Sequence, residues 1–90
     1  MTALWTRFRQ ASLPLTLLQQ ALVDYGYHLS ITGQLDEPTR NALAAFQMHF
    51  VPWQVTARPD AATAAAVMAL LQKYMPHKYE RLLQRYEQIK

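Results

Sequence analysis

The chain contains no cysteine, which removes disulfides, thiolate metal sites and thiol nucleophiles from consideration. Glycine is nearly as scarce, with only Gly26 and Gly33 in 90 residues, too few for a phosphate-cradling loop. Serine is limited to Ser12 and Ser30, neither set in a Gly-x-Ser-x-Gly elbow, so a serine nucleophile has no motif to sit on. No apolar run approaches the roughly 20 residues that span a bilayer, and no signal-peptide core follows Met1. The chain therefore either begins inside a longer protein with an export signal upstream or travels by another route. His28, His49 and His77 are the only histidines, and no two share the i, i+4 spacing of a helical zinc site. No metal, no cofactor and no catalytic residue is expected. The formal charge of +3 is spread thinly, unlike the dense basic face of a nucleic-acid binder.

What remains is apolar and helical. Hydrophobic residues make up 51% and charged residues 17%, a composition that folds around one core. Ser12 is placed to cap a first helix with Pro14 in its first turn and Gly26 at its end. Leu15, Leu18, Leu22 and Tyr25 recur at helical steps along it. Gly33-Gln34-Leu35-Asp36 announces a second helix, capped by Asp36 and running to about Phe50, with Ala42, Leu43, Phe46 and Phe50 inward. Pro52 stops it, and 51–59 reads as a connector.

A second Asp-x-x-Thr starts at Asp60. Shifting the chain by 24 positions aligns Asp36 with Asp60, Thr39 with Thr63, Ala42 with Ala66, Leu43 with Val67, Phe46 with Leu70 and Phe50 with Tyr74. Agreement of caps and apolar positions at one offset marks an internal loop-plus-helix repeat. Beyond Pro76, residues Tyr79, Leu82, Leu83, Tyr86 and Ile89 form one stripe, opposite Lys78, Arg81, Gln84, Arg85 and Gln88. That stripe is expected to fold back on the bundle; the alternative is a surface for a protein partner or an anionic membrane. Leu4, Trp5 and Phe8 suggest one more short turn packing on this helix. The expected architecture is all-α: a lead-in over 1–11, a three-helix bundle over 12–75 built on the repeat, and an added C-terminal amphipathic helix over 76–90.

Leu18-Gln19, Leu22, Tyr25-Gly26-Tyr27, Gly33-Gln34-Leu35-Asp36 with Thr39, Ala42-Leu43, Phe46-Gln47, and Asp60 with Thr63 and Leu70 together resemble the peptidoglycan-binding-like domain family. The string Phe46-Gln47-Met48-His49-Phe50 is similar to the C-terminal module of Gram-negative zinc-dependent N-acetylmuramoyl-L-alanine amidases. The resemblance implies a non-catalytic module in the periplasm or cell envelope that holds a hydrolase on murein, with the zinc domain upstream. It also implies peptidoglycan, through glycan or stem peptide, as partner. The chain departs from the family by lacking a glycine before the second Asp-x-x-Thr and by carrying the helix after Pro76.

Wall peptides offer amides and carboxylates, and sugars offer hydroxyls and an apolar face. Exposed aromatic and polar side chains suited to these are Tyr27, His28, Arg40, His49 and Trp53. Arg40 would fork onto a stem-peptide carboxylate. Trp53 either stacks on a sugar ring or caps the core. Gln47 is expected to satisfy a backbone group in the Gly26–Gly33 loop, with ligand contact as the alternative.

Overall fold

The computed structural model describes residues 13–89 and contains four helices and, among the described residues, no strand. These are α1 (Leu15–Tyr25), α2 (Glu37–Phe50), α3 (Ala61–Tyr74) and α4 (Pro76–Ile89). The all-α bundle expected from caps and periodicity is the fold the chain adopts. Among the described residues no helix is long and apolar enough to cross a membrane.

Helix boundaries follow local chemistry. Pro14 stands just before α1 rather than in its first turn, and its carbonyl accepts from the N–H groups of Leu17 and Leu18, both at 3.0 Å. Ser12 and the Leu4, Trp5, Phe8 turn lie outside the described residues. At the far end Gly26 takes φ +129°. Its N–H donates to Val23 O (3.0 Å) and the Tyr27 N–H reaches back to Leu22 O (2.9 Å). This paired arrangement satisfies two of the last carbonyls of α1 and turns the chain sharply. Asp36 caps α2, accepting from the Thr39 N–H at 3.2 Å, while Glu37 and Pro38 occupy the first turn. Only Met75 separates α3 from α4, because Pro76 is tolerated at a helix start but not within one.

The core draws on every helix. Leu17, Leu18, Ala21 and Leu22 of α1 meet Leu43 and Phe46 of α2, Val67, Met68 and Leu71 of α3, and Tyr79, Leu82 and Tyr86 of α4. α3 packs against the other three, and α4 lies against α1 and α3. The amphipathic stripe of α4 is thus buried in the bundle, with Leu83 half-buried beside it. Lys78 Nζ also donates to Asp24 O at 3.2 Å, fastening the start of α4 to the last turn of α1, where unpaired carbonyls favour a cation.

The repeat does not carry its inward face into α3 unchanged. Leu70 and Tyr74, aligned with Phe46 and Phe50, are half-buried and 59% exposed respectively. Met68 and Leu71 are buried instead. α3 sits centrally among three helices, so its buried surface is rotated toward α1 and α4, and Ala64 and Ala65 let neighbours approach closely. Leu15, Tyr25 and Phe50 are likewise only half-buried.

Candidate functional site

Two interhelical loops are held by one device used twice. Gln19, fully buried on α1, accepts from the Gly33 N–H at Oε1 (2.8 Å) and donates through Nε2 to Thr39 Oγ1 (2.8 Å) and Gln34 O (3.1 Å). Gln47, fully buried on α2, accepts from the Thr56 and Ala57 N–H groups (2.9 and 2.8 Å) and donates to Thr63 Oγ1 and Arg58 O (both 2.9 Å). Each glutamine therefore supplies the partners that a tight, partly buried loop cannot find within its own backbone. Gln47 serves the 56–58 loop that follows its own helix, not the Gly26–Gly33 loop for which it was expected. Gln19 plays that part for the first loop.

Threonine and aspartate complete each clasp. Thr32 donates to Asp36 Oδ2 (2.9 Å) and Thr39 to Asp36 Oδ1. Thr56 donates to Asp60 Oδ2. The copies differ at the cap: Asp60 precedes α3 and its carbonyl accepts from Ala64 N–H (2.9 Å), but its side chain reaches no backbone N–H. The expectation that Asp60 caps like Asp36 is corrected in that respect, since its carboxylate is turned to Thr56.

The glycine missing from the second loop is replaced by a strained alanine. Gly33 has φ +74°, and Ala57, at the matching position, has φ +58°. An L-residue in this region costs about 1–2 kcal/mol. Ala57→Gly is expected to raise stability by about 0.5–1 kcal/mol after the entropic cost of glycine, read as a melting point a few degrees higher. Gly33→Ala should act oppositely, because the new Cβ would also meet Thr16 Cγ2 at 3.3 Å.

The Asp36 carboxyl is held below its usual range by the Thr39 hydroxyl first and the Thr32 hydroxyl second. A depressed folded-state value means that the contribution of this group is present above the unfolded value near 3.8 and is lost as pH falls through the folded one. Melting curves between pH 6 and 2 should show a shallower acid limb for Asp36→Asn than for the natural chain. Identical limbs would disconnect the clasp from acid sensitivity.

A shallow groove opens between the end of α1 and the second half of α2, lined by Tyr25, Gly26, Tyr27, Ala45, His49 and Phe50. Its floor is aromatic. Tyr25 meets Phe50 edge-on at 5.8 Å between centroids, Tyr27 meets Phe46 at 6.2 Å, and Phe46 and Phe50 lie tilted at 4.8 Å. The His49 ring stands 4.7 Å from Phe50. Burial, and then the neighbouring Tyr25, push the Tyr27 phenol above its ordinary value, so it remains a neutral donor and acceptor at the groove.

Of the five expected site residues, the structure brings Tyr27 and His49 together in this groove. His28 follows Tyr27 and is exposed. Arg40 is exposed near the start of α2, about 14 Å of helix axis from His49, and its Nη1 donates to Leu35 O at 2.6 Å. Trp53 is 76% exposed, which excludes it as a cap on the core. Tyr25 and Phe50, assigned to the core stripe by periodicity, are groove residues as well. Half-burial of an aromatic at the end of an apolar stripe is the signal that marks them. Among the described residues no three His, Cys, Asp or Glu side chains are grouped to hold a metal ion.

A family described as "Putative peptidoglycan binding domain" matches residues 13–67, more than half of the chain. The match spans α1, α2, both clasped loops and the first half of α3, and ends before α4. No curated protein and no solved structure matches.

Proposed function

Because the chain belongs to the peptidoglycan-binding domain family, we propose that it is a non-catalytic murein-binding module that holds a cell-wall hydrolase, such as an N-acetylmuramoyl-L-alanine amidase, on its substrate in the cell envelope. The observation that carries the reading is the family match over 13–67, which takes in both clasped loops and the groove between the end of α1 and the second half of α2. The groove offers ring faces and edges, together with the Tyr27 hydroxyl and the His49 imidazole. Such a surface suits the apolar face and hydroxyl rim of a sugar, or the amides of a stem peptide. His28, Arg40 and Trp53 extend the contact along an extended polymer beyond the groove. The remaining N–H groups of Arg40 suit a stem-peptide carboxylate.

The function follows from rigidity rather than reactivity. Each clasp ties a loop to the preceding helix, which fixes the path from α1 into α2 and from α2 into α3, and the rings of Tyr25, Tyr27, Phe46 and Phe50 pack on one another to shape the groove.

Co-sedimentation with purified sacculi tests the reading. The chain is expected in the pellet at low salt, and His49→Ala with Trp53→Ala, both at exposed positions, should weaken retention by about tenfold or more while leaving the helical spectrum unchanged. A natural chain that stays wholly in the supernatant would overturn the proposal.

A further inference from the structure

α1 and α4 pack against one another, and between them lies a cleft of about 150 Å³ lined by Gln20, Asp24, Arg81, Leu82 and Arg85. It is separate from the aromatic groove, and three of its five residues lie beyond the 13–67 segment that the family match covers. Gln20 and Asp24 are one turn apart on α1, as Arg81 and Arg85 are on α4, so two polar i, i+4 pairs border the same space.

The cleft is hydrogen-bonded internally on its α1 side and open on its α4 side, where both arginines are exposed. Gln20 Nε2 donates to Asp24 Oδ1 at 2.9 Å, which orients the carboxylate. Lys78 is committed to the Asp24 carbonyl and leaves that carboxylate alone. Neither Arg81 nor Arg85 has an ion-pair or hydrogen-bond partner among the described residues, although both share the cleft with Asp24. Leu82, 2% exposed, gives the space an apolar base.

Two guanidinium groups and one carboxylate around a small space define what fits. Arginine binds a carboxylate through parallel N–H donors, and a compact ammonium pairs with an aspartate. Pockets for whole drug-sized ligands run to roughly 300–1,000 Å³, so a cleft of about 150 Å³ takes a head group and not a disaccharide. We propose that the α1–α4 cleft binds the zwitterionic head of an amino acid, with the carboxylate between Arg81 and Arg85 and the ammonium on Asp24. Such a head is presented by a free amino acid or by an amino-acid side arm carried on a polymer. The site does not depend on the murein reading, because its ligand chemistry is set by α1 and α4 alone.

Backbone and arginine Nε resonances of the full chain, followed by two-dimensional NMR, test it with three probes: alanine, N-acetylalanine and alaninamide. Alanine carries both charges and the other two carry one each. Alanine is expected to shift residues around 20–24 and 81–85 and to bind about tenfold tighter than either singly charged analogue. R81Q/R85Q, at exposed positions, should abolish those shifts while leaving the rest of the spectrum in place. D24N should remove the advantage of alanine over N-acetylalanine. Equal perturbation by all three probes, or shifts that persist in R81Q/R85Q, would overturn the proposal. Sacculus retention of R81Q/R85Q then separates the sources: a loss assigns the head to the wall polymer, and full retention assigns it to the free amino acid.

Discussion

Replacing Gln47 with leucine is expected to destabilise the protein by about 3–4 kcal/mol, although the side chain keeps nearly the same size. The change removes both acceptor contacts to Thr56 and Ala57 N–H and both donor contacts to Arg58 O and Thr63. A buried polar group left unpaired costs about 1–3 kcal/mol, and four are affected. The loop side of the clasp is only part-buried, so water recovers some of that loss and holds the total below the sum. A domain of this size has roughly 5–13 kcal/mol of stability in all. The melting point should therefore fall by about 15–25 °C.

Gln47→Glu provides a discriminating companion. It preserves the acceptor but replaces the amide donor with a second acceptor facing Arg58 O and Thr63 Oγ1. It should be strongly destabilised at neutral pH and partly recover in mild acid, where a protonated carboxyl regains one donor. Gln19→Leu should match Gln47→Leu, because its contacts are nearly the same set. A cost below about 1 kcal/mol for either would show that the clasps do not hold the loops.

Removal of residues 76–90 is expected to abolish cooperative folding. Tyr79, Leu82 and Tyr86 are each at most 3% exposed, and burial of such side chains contributes about 1.5–3 kcal/mol apiece, together comparable with the whole stability of the chain. Their loss would also open α1 and α3, against which α4 packs, to water. Leu82→Ala is the milder version and should cost about 3 kcal/mol through the cavity it leaves. Circular dichroism and a melting curve read both. A truncated chain that melts cooperatively near the natural temperature would show that α4 is dispensable. If α4 is required, murein binding by a truncated chain reports on unfolding, and the ligand role of this helix has to be probed by exposed substitutions such as those at Arg81 and Arg85.

Much of the fold was legible because its signals are local. Asp36, Pro38, Gly26 and Pro76 act through the backbone groups of their own turn, so their effect can be read without knowing what lies across the bundle. The spacing of Leu18, Leu22, Leu43 and Phe46 likewise names a buried face whatever it is buried against. The family landmarks around Gln19, Asp36 and Gln47 were visible in the same way, but not what they do. A constant offset of 24 aligns Thr32 with Thr56 and Asp36 with Asp60, yet it cannot align the two glutamines. The separation from glutamine to loop threonine is 13 residues in the first clasp and 9 in the second.

The sequence by itself determined that the chain is helical, that α2 runs from the Asp36 cap to Phe50 and α4 starts at Pro76, and that one loop-plus-helix unit is repeated. Tertiary structure alone decided that Gln19 and Gln47 clasp the loops and that Met68 and Leu71 replace Leu70 and Tyr74 at the centre. It also decided which of the five candidate site residues share a groove: Tyr27 and His49 do, while Arg40 lies at the other end of α2. The reason is range. Caps and periodicity act within about four residues along the chain, whereas the groove, the clasps and the α1–α4 cleft join residues that come together only when helices pack.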